Sequence, residues 1–436
     1  MNLKNINMKR KEIILFMIVG TGFNSDSYEE GFRLLAKKLY STINKINPNH
    51  VVFFASSKSK HTIEFIEELF IQDDDEFTLG EDYQIVPIEA IDDFNSCFEA
   101  FESKIWEFDL IEDKNYQIIM DYTSGTKTMS AAMACCGMFY SKDLVCISGD
   151  RSTGEVTAGT EIINYQNLYK IYDKFALMRT RQNFNSNRFM ACIEILNYIV
   201  DMNIHKDSLL NLCKAYYSWD NVDFEKAYNY LKNVDTNAIE FSDIKNELNG
   251  NLNALGIIVN SRSENLKNCY ILASLINNAR GKAEDYRYDD AIARLYRSLE
   301  LIAQIRLTKY TLKSSDIDVS MLKQHDVSQD FIEELEKTTE DGKIRTGLVK
   351  DYLLLNELGD ELGKYYVENE SKIKNITQKR NNSILAHGLN SQSQEDYEKF
   401  MELVLNLARK LDKDMDKFIK ETKFAKFKIK LEMNKK

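Results

Sequence analysis

An arginine and a histidine near the C-terminus have the residue types needed for acid–base chemistry on a phosphodiester. Arg380 and His387 stand seven residues apart, within the segment RNNSILAH. On a continuous helix this spacing makes nearly two turns, so both side chains would share one face, about 10 Å apart along the axis. An arginine that holds phosphate and a histidine that moves a proton suffice for RNA cleavage by its own 2′-hydroxyl, without metal. By the spacing alone, a histidine at a helix end beside a solvated arginine is the default interpretation.

The surrounding pattern predicts the helix that would carry this pair. We expect it to begin near Ser371 and to end at Gly388, because glycine commonly follows the last residue of a helix. His387 would then lie in the last turn, where the helix dipole favours the imidazolium. Further long helices are expected at 288–310, 348–368 and 394–419. We therefore predict an all-helical C-terminal domain at 274–436, preceded by a helical connector at 169–273.

The first 165 residues have a different pattern, in which short apolar runs alternate with helical segments. We expect parallel strands, covered by helices on both faces, at 13–19, 51–55, 83–88, 116–120 and 144–148. The carboxyl ends of such strands meet at one edge, where these sheets bind ligands. We therefore predict a Rossmann-like α/β domain at 1–168.

Four loops at this edge carry hydroxyls, glycine amides and basic side chains. Their candidate residues are Thr21, Gly22, Asn24 and Ser25; Ser56; Thr123, Ser124, Gly125, Thr126 and Lys127; and Arg151. Such groups at helix N-termini bind anions, which indicates phosphate or nucleotide binding. Turn and capping chemistry explains any one of these loops, but four converging loops favour a binding site. The spacing matches neither the P-loop nor the dinucleotide-binding glycine motif.

Composition limits the classes of protein that remain. The chain has 436 residues, of which 44% are hydrophobic, and a formal net charge of −11. The length predicts two or three domains, and the apolar fraction excludes disorder over most of the chain. The acidic balance excludes an indiscriminate nucleic-acid binder, since phosphate affinity comes mainly from lysine and arginine. It does not exclude a nuclease with local basic groups.

The cysteines, histidines and apolar runs predict the compartment and the cofactors. The seven cysteines are scattered and are expected to be reduced thiols. The histidines show no ligand-like spacing, so we expect no metal site. No apolar run approaches 18 residues, so we expect a cytoplasmic protein without a membrane span.

The run DYTSGTKTMS at 121–130, preceded by the GTG loop at 20–22, resembles the CRISPR-associated Rossmann-fold (CARF) sensor domain. This domain occurs in ancillary ribonucleases of type III CRISPR systems. The resemblance implies binding of a cyclic oligoadenylate across a two-fold dimer interface. It also implies ligand contacts from Thr21, Gly22 and residues 123–127.

The RNNSILAH segment, within an all-helical domain, resembles the HEPN ribonuclease domain, whose signature is R-x4–6-H. The resemblance implies a composite site in a homodimer, with Arg380 on the scissile phosphate, His387 as general acid and base, and Asn381 contacting RNA. Together, the two resemblances predict a CARF–HEPN ancillary ribonuclease. We expect a cyclic-oligoadenylate-activated, metal-independent endonuclease of single-stranded RNA in antiviral defence. The alternatives are a non-catalytic sensor or dimerisation protein, and a ring nuclease that degrades its own activator.

Overall fold

The computed structural model describes residues 11–428 except 23–26, 75, 111–115, 151–155, 158–159, 167, 202, 338 and 341–342. The chain divides into two compact units, Met1–Tyr172 and Asp173–Lys436. Among the described residues, no helix combines the length and the hydropathy needed to span a bilayer.

The first unit alternates strands and helices around one six-stranded sheet. Its strands are β1 (Glu12–Val19), β2 (His50–Ala55), β3 (Tyr83–Pro87), β4 (Tyr116–Asp121), β5 (Asp143–Ser148) and β6 (Ile162–Gln166). Its helices are α1 (Tyr28–Ile46), α2 (Lys60–Gln72), α3 (Phe94–Asp109) and α4 (Lys127–Phe139). The strand order is β3-β2-β1-β4-β5-β6, and the first five strands are parallel, as the sequence predicts.

The sixth strand was not predicted. β6 pairs antiparallel with β5 at the sheet edge, and its Ile162 and Tyr165 side chains are mostly exposed. An edge strand of this kind lacks the continuous apolar run that marks a central parallel strand.

Both faces of the sheet are covered, which explains the continuously apolar strands. Alternate residues of β1 enter two separate apolar cores, because successive side chains of a strand point to opposite faces. Helices α1 and α2 pack on the core that contains Leu15 and Met17, and α3 and α4 pack on the core that contains Phe16 and Ile18. The strand order changes direction between β1 and β4, which is where sheets of this type bind ligands.

The second unit is built from helices around one continuous apolar core that extends from Phe184 to Phe427. Helix α5 (Tyr169–Asn185) spans the division between the units. The helices that follow are α6 (Phe189–Asn197), α7 (Lys206–Asp220), α8 (Phe224–Leu231), α9 (Lys245–Asn260), α10 (Glu264–Glu284), α11 (Tyr288–Thr308), α12 (Val319–Gln324), α13 (Gln329–Glu336), α14 (Leu348–Glu357), α15 (Glu361–Glu368), α16 (Glu370–Asn381), α17 (Gln394–Leu411) and α18 (Met415–Glu421). A short hairpin joins β7 (Thr339–Glu340) to β8 (Lys343–Ile344). The predicted boundary after residue 273 falls inside α10 and remains a prediction.

The helix that carries Arg380 is shorter than the sequence predicts. α16 ends at Asn381, and residues 382–387 form a turn. Asparagine and serine side chains compete with the helical backbone for hydrogen bonds, and the Ser383 side chain is buried in the turn. His387 therefore lies beyond the helix, so its predicted place in a last helical turn is wrong.

Candidate functional site

A cavity of about 500 Å³ opens where β1 and β4 end. Seven of the residues predicted for the first site line it: Thr21, Gly22, Ser56, Thr123, Ser124, Gly125 and Thr126. Lys127 is exposed at the first position of α4 and is not among the lining residues. Asn24, Ser25 and Arg151 lie outside the described residues.

The loops after β1 and β4 approach so closely that glycine is required. The Gly20 backbone N–H donates a 3.1 Å hydrogen bond to Ser124 Oγ, which joins the two loops. Gly125 has a φ of +81°, and a Cβ there would lie 2.3 Å from Ile18 Cγ2. Glycine accepts this backbone angle without cost and leaves room for the strand below. The GTG and TSGT segments therefore form one floor of the cavity.

Thr123 is held by a buried carboxyl group beneath the cavity. Asp121 Oδ1 accepts hydrogen bonds from the Thr123 N–H and hydroxyl, and Thr123 Oγ1 accepts a 2.8 Å bond from the Ile147 N–H. Asp121 is only 1% exposed, and its Oδ2 has no hydrogen-bond partner within the described part of the chain. Burial raises the pKa of Asp121 to about 6, against the opposing effect of the Thr123 hydrogen bonds. The Thr123 hydroxyl proton is thus engaged inside the protein, where it fixes the loop.

Thr126 sets the direction of α4. Its Oγ1 accepts a 3.2 Å bond from the Met129 N–H and donates a 2.8 Å bond to the Ile91 carbonyl. The first N–H groups of a helix lack partners within the helix, and the helix dipole is positive at that end. Thr126 and Met129 both line the cavity, so this end of α4 suits an anion.

The sequence analysis missed two polar residues of this cavity, Lys38 and Thr42, and did not select Ser59 from the loop that carries Ser56. Lys38 lies on α1, in a stripe of Leu35, Leu39 and Thr42 at helical spacing. A lysine and a threonine within an otherwise apolar stripe could have indicated, from the sequence, that this face of α1 lines a polar cavity. Ser59 is buried and hydrogen-bonds Ser56, with Ser59 Oγ accepting a 2.8 Å bond from the Ser56 N–H.

The second candidate site contains Arg380, whose guanidinium lies on an aromatic ring. Arg380 Cζ is 4.3 Å from the centroid of the Tyr296 ring, which α11 supplies. Arg380 Nη1 donates a 3.1 Å hydrogen bond to Asn381 Oδ1. Burial is the main cause that raises the pKa of the Tyr296 hydroxyl. The sequence analysis missed Tyr296, and its helical spacing alone gives no sign of the contact.

The turn after α16 brings the His387 backbone back to the helix end. The His387 N–H donates a 3.1 Å bond to the Asn381 carbonyl, and the Gly388 N–H donates a 3.1 Å bond to the Ser383 carbonyl. A Cβ on Gly388 would lie 2.1 Å from the Asn382 carbonyl oxygen. The His387 side chain is exposed. The structure therefore gathers Arg380, Asn381 and His387 at one turn, by a route other than the predicted helix face.

Unsatisfied polar atoms concentrate around these two sites. Six buried side-chain polar atoms lack a hydrogen-bond partner in the described chain. Three of them are Arg380 Nε, Gln392 Oε1 and Asp289 Oδ1. Asp289 Oδ2 accepts from the Gln392 backbone N–H, and Gln392 Nε2 donates to the carbonyl of Lys379, the residue before Arg380. A fourth is Asp121 Oδ2. Such atoms are rare in folded proteins and need an explanation, and ligand binding is one.

Among the described residues, no group of three or more histidine, cysteine, aspartate or glutamate side chains could hold a metal ion.

Comparisons with known proteins identify the second unit. Residues 172–256 match the family model of the Csm6 6H domain, and residues 260–411 match that of the Csm6 HEPN domain. No curated protein matches the sequence.

Solved structures extend the comparison to the fold. One is "Enterococcus italicus Csm6 bound to cyclic hexa-2′-fluoro-hexa-dAMP", with a TM-score of 0.58 and 14% identity, covering 94% of this chain and 99% of that one. At this identity the similarity shows the fold alone. Another is Can2 from Sulfobacillus thermosulfidooxidans in complex with cyclic tetra-adenylate, with 11% identity, covering 50% of this chain and 66% of that one. Its TM-score of 0.24 is too low to carry an argument.

The two family models follow one another over more than half of the chain, and the fold agrees over nearly all of it. The chain therefore belongs to the Csm6-type CARF–HEPN ancillary family.

Proposed function

We propose that this protein is a cyclic-oligoadenylate-activated, metal-independent endonuclease of single-stranded RNA that acts in type III CRISPR antiviral defence. One observation carries the nuclease part. Within the segment that matches the Csm6 HEPN domain, Arg380 has a buried, unbonded Nε, and the turn beside it brings His387 back to the helix end. Arginine is suited to phosphate, and histidine is the side chain that transfers protons near neutral pH.

The proposed chemistry uses the substrate's own 2′-hydroxyl as nucleophile. Arg380 stabilises the charge that develops on the scissile phosphate, and the ring of Tyr296 holds the guanidinium in place. His387 takes the 2′-hydroxyl proton and returns a proton to the departing 5′-oxygen, which leaves a 2′,3′-cyclic phosphate. Asn381, whose Oδ1 accepts from Arg380, has its amide N–H groups left for the RNA. Two such turns facing each other in a homodimer would complete one composite site.

The activator part rests on the cavity between β1 and β4. Glycine amides, hydroxyls and the start of α4 line it, and these groups suit the phosphates of a nucleotide ring. The Enterococcus italicus structure of similar fold is bound to a cyclic hexanucleotide. We propose a cyclic oligoadenylate as the ligand of this cavity.

A fluorogenic RNA cleavage assay tests the proposal. We expect cleavage only when cyclic tetra- or hexa-adenylate is present, full activity in EDTA, and products that end in a cyclic phosphate. Arg380→Ala and His387→Ala should abolish cleavage while leaving the affinity for the activator unchanged. Arg409→Ala, at an exposed arginine of α17 paired with Asp416, is the matched control and should remain active. A metal requirement or full activity in His387→Ala would refute the mechanism.

The homodimer needs a separate test, which mixed dimers provide. Light scattering should give a mass of two chains. Wild-type and His387→Ala proteins are mixed in varied proportions and allowed to exchange subunits. A composite site then predicts that cleavage activity falls more steeply than the fraction of wild-type chains. A linear dependence would mean that each chain holds a complete site.

A second candidate activity is degradation of the activator itself. The observation that favours it is the Asp121–Thr123 pair, a buried carboxyl group with an unbonded oxygen directly under a cavity-lining hydroxyl. Thr21, Thr123 and Lys127 would position the ring for attack by its own 2′-hydroxyl. Incubation of the protein with labelled ring decides it, since linear products support ring cleavage and an intact ring excludes it. Binding of the ring without cleavage of any RNA would instead identify a non-catalytic sensor.

A further inference from the structure

A second cavity, of about 240 Å³, lies in the helical unit among α11, α16 and α17. Ile292 and Phe400 form an apolar floor, and both side chains are almost fully buried. Lys372, Lys379 and Lys399 also line the cavity. An apolar floor with a rim of ammonium groups suits a flat, uncharged ring that is attached to phosphate, which is the chemistry of a nucleotide.

Two lysines of this rim are available to a ligand. Lys379 pairs with Asp396, whose side chain is only 19% exposed, so this pair stays in place. Lys399 pairs with Glu395, and both side chains are more than half exposed. Exposed ion pairs contribute little to stability, so a phosphate can replace Glu395 at small cost. Lys372 has no ion-pair partner in the described part of the protein.

The cavity also presents an acceptor that nothing in the described chain satisfies. Gln392 is only 9% exposed, and its Nε2 donates a 3.1 Å bond to the Lys379 carbonyl. That bond fixes the orientation of the amide, and Gln392 Oε1 then accepts no hydrogen bond. A buried carbonyl without a donor is costly, and an N–H group of a bound base would satisfy it.

This cavity lies beside the proposed catalytic arginine. Ile292 on its floor and Tyr296 under the Arg380 guanidinium are four residues apart on α11, a separation of about 6 Å along the helix. Lys379 on its rim precedes Arg380 in the chain. A strand whose phosphate meets Arg380 therefore passes the cavity within about one nucleotide step.

We propose that this cavity binds the base of a nucleotide adjacent to the cleaved bond of the RNA substrate. The base lies on Ile292 and Phe400 and donates an N–H to Gln392 Oε1, and the flanking phosphates contact Lys372 and Lys399. The inference rests on the proposed ribonuclease function and names the part of the substrate that this surface holds.

Binding of a labelled 2′-fluoro oligoribonucleotide, which lacks the nucleophile and is not cleaved, tests this site in the full-length protein with activator present. Lys372→Ala and Lys399→Ala should each weaken binding about fivefold. The slope of log affinity against log salt should fall by about 0.7 for each lysine removed, because each phosphate contact to a single strand releases that share of counterion. Asn375→Glu, which places a negative charge on the exposed rim, should weaken binding further.

The matched control is Lys374→Ala, at an exposed lysine of the same helix that pairs with Glu370 outside the cavity. It should change neither the affinity nor the salt slope. RNA cleavage is measured in parallel with unmodified RNA. If the wild type cleaves RNA but the Lys372/Lys399 double variant binds the probe with wild-type affinity and slope, the nucleotide site is refuted while the ribonuclease stands. If the wild type neither binds nor cleaves RNA, both proposals fail.

Discussion

Arg380 shows what the structure adds to a residue chosen by type. Its guanidinium is fixed by Tyr296, which stands 84 residues earlier in the chain and on a different helix. A flat aromatic face attracts the cation and restricts its position without occupying its N–H groups. In the proposed mechanism Tyr296 is therefore a positioning residue, and Arg380 Nε makes no hydrogen bond within the described chain.

We predict that Tyr296→Leu lowers kcat for RNA cleavage about fivefold to thirtyfold, the range expected when a cation–π contact of this kind is lost. KM should change much less, because the guanidinium remains but is no longer fixed. Tyr296→Phe retains the ring face and should restore most of the activity. Steady-state kinetics with saturating activator measure both constants.

Tyr365→Leu is the control for this experiment, since Tyr365 is a half-buried tyrosine whose ring faces Lys410 at 5.4 Å. It should retain wild-type kcat. A Tyr296→Phe variant as inactive as Tyr296→Leu would assign the effect to the hydroxyl and contradict the role of the ring.

Asp121 gives a prediction about pH. Because burial raises its pKa from 3.8 to about 6, the folded protein binds this proton more tightly than the unfolded chain does. Stability from this group is therefore present at low pH and is lost as pH rises through about 4 to 6. Asp121→Asn lacks the titration, so the Tm of the variant minus that of the wild type should increase over this range and level off above about pH 7. The full change corresponds to about 3 kcal/mol.

Thermal melts of both proteins across this pH range provide the measurement. Asp351→Asn serves as a comparison, because Asp351 in the second unit also has a pKa raised to about 6 by burial. Its effect should fall on the melting of the helical unit. A difference in Tm between Asp121→Asn and the wild type that is independent of pH would contradict a titrating Asp121.

At the scale of elements, the turn after α16 decides where His387 lies. Gly388 packs its Cα against the Asn382 carbonyl, and a Cβ there would lie 2.1 Å from that oxygen. We predict that Gly388→Ala displaces the turn and lowers RNA cleavage about 100-fold, the cost typical of a catalytic group misplaced by about 1 Å. Because most of the turn is exposed, Tm should fall by only a few degrees. Cleavage rates and melting curves give the two readouts.

Gly250→Ala is the matched substitution in the same unit. Gly250 lies in helix α9, where a Cβ would meet nothing within 4 Å. Alanine stabilises a helix interior relative to glycine, so this variant should keep full activity with an equal or higher Tm. Wild-type cleavage by Gly388→Ala would show that the turn does not position His387.

Local pattern accounts for most of the elements that the sequence predicted. The central strands and α1 to α4 follow from apolar periods that a short window contains. One break between helices was missed. The helix expected over 348–368 is two helices, because Gly359 takes a φ of +69° and Asp360 caps α15 through the Leu362 N–H. The apolar period does not mark this break, but the Gly359–Asp360 pair is a local signal for it, since glycine often follows a helix and aspartate often caps the next one.

The candidate sites, too, contain residues that the sequence predicted and residues that it missed. The loops at the sheet edge were predicted because parallel strands must end together, whatever their side chains are. Lys38 and Tyr296 were missed, because the direction in which a helix presents a side chain depends on how that helix packs. The Arg380–His387 pair was chosen by residue type and stays a prediction, and its geometry was not predicted, since the helix ends six residues before His387.

At the scale of the whole molecule, the negative net charge and the local basic groups have complementary effects. A net charge of −11 opposes long-range attraction of RNA. If the protein is the proposed nuclease, RNA binding depends on short-range contacts such as those proposed for Arg380 and Lys372. Gating by the activator would then preserve a low resting affinity, because the activator would select the conformation that makes those contacts available.

Gating of this kind requires that ring and RNA favour the same conformation, which makes their affinities reciprocal. We predict that saturating activator tightens binding of the 2′-fluoro oligoribonucleotide by a factor of about 5 to 150, the range typical of allosteric coupling. By linkage, saturating oligoribonucleotide must tighten binding of the activator by the same factor. Titrations of each ligand in the presence and absence of the other measure both factors.

Gly125→Ala isolates the origin of the coupling. Its Cβ would meet Ile18 and disturb the floor of the first cavity, far in sequence from any RNA contact. The variant should lose activator affinity and the activator's effect on RNA binding, while its RNA affinity without activator stays at the resting value. A different result in the wild type would contradict the coupling. If the ring strongly stimulates cleavage, but neither ligand changes the affinity for the other, the activator acts on the chemical step alone. The conformation it selects would then differ from the one that binds RNA.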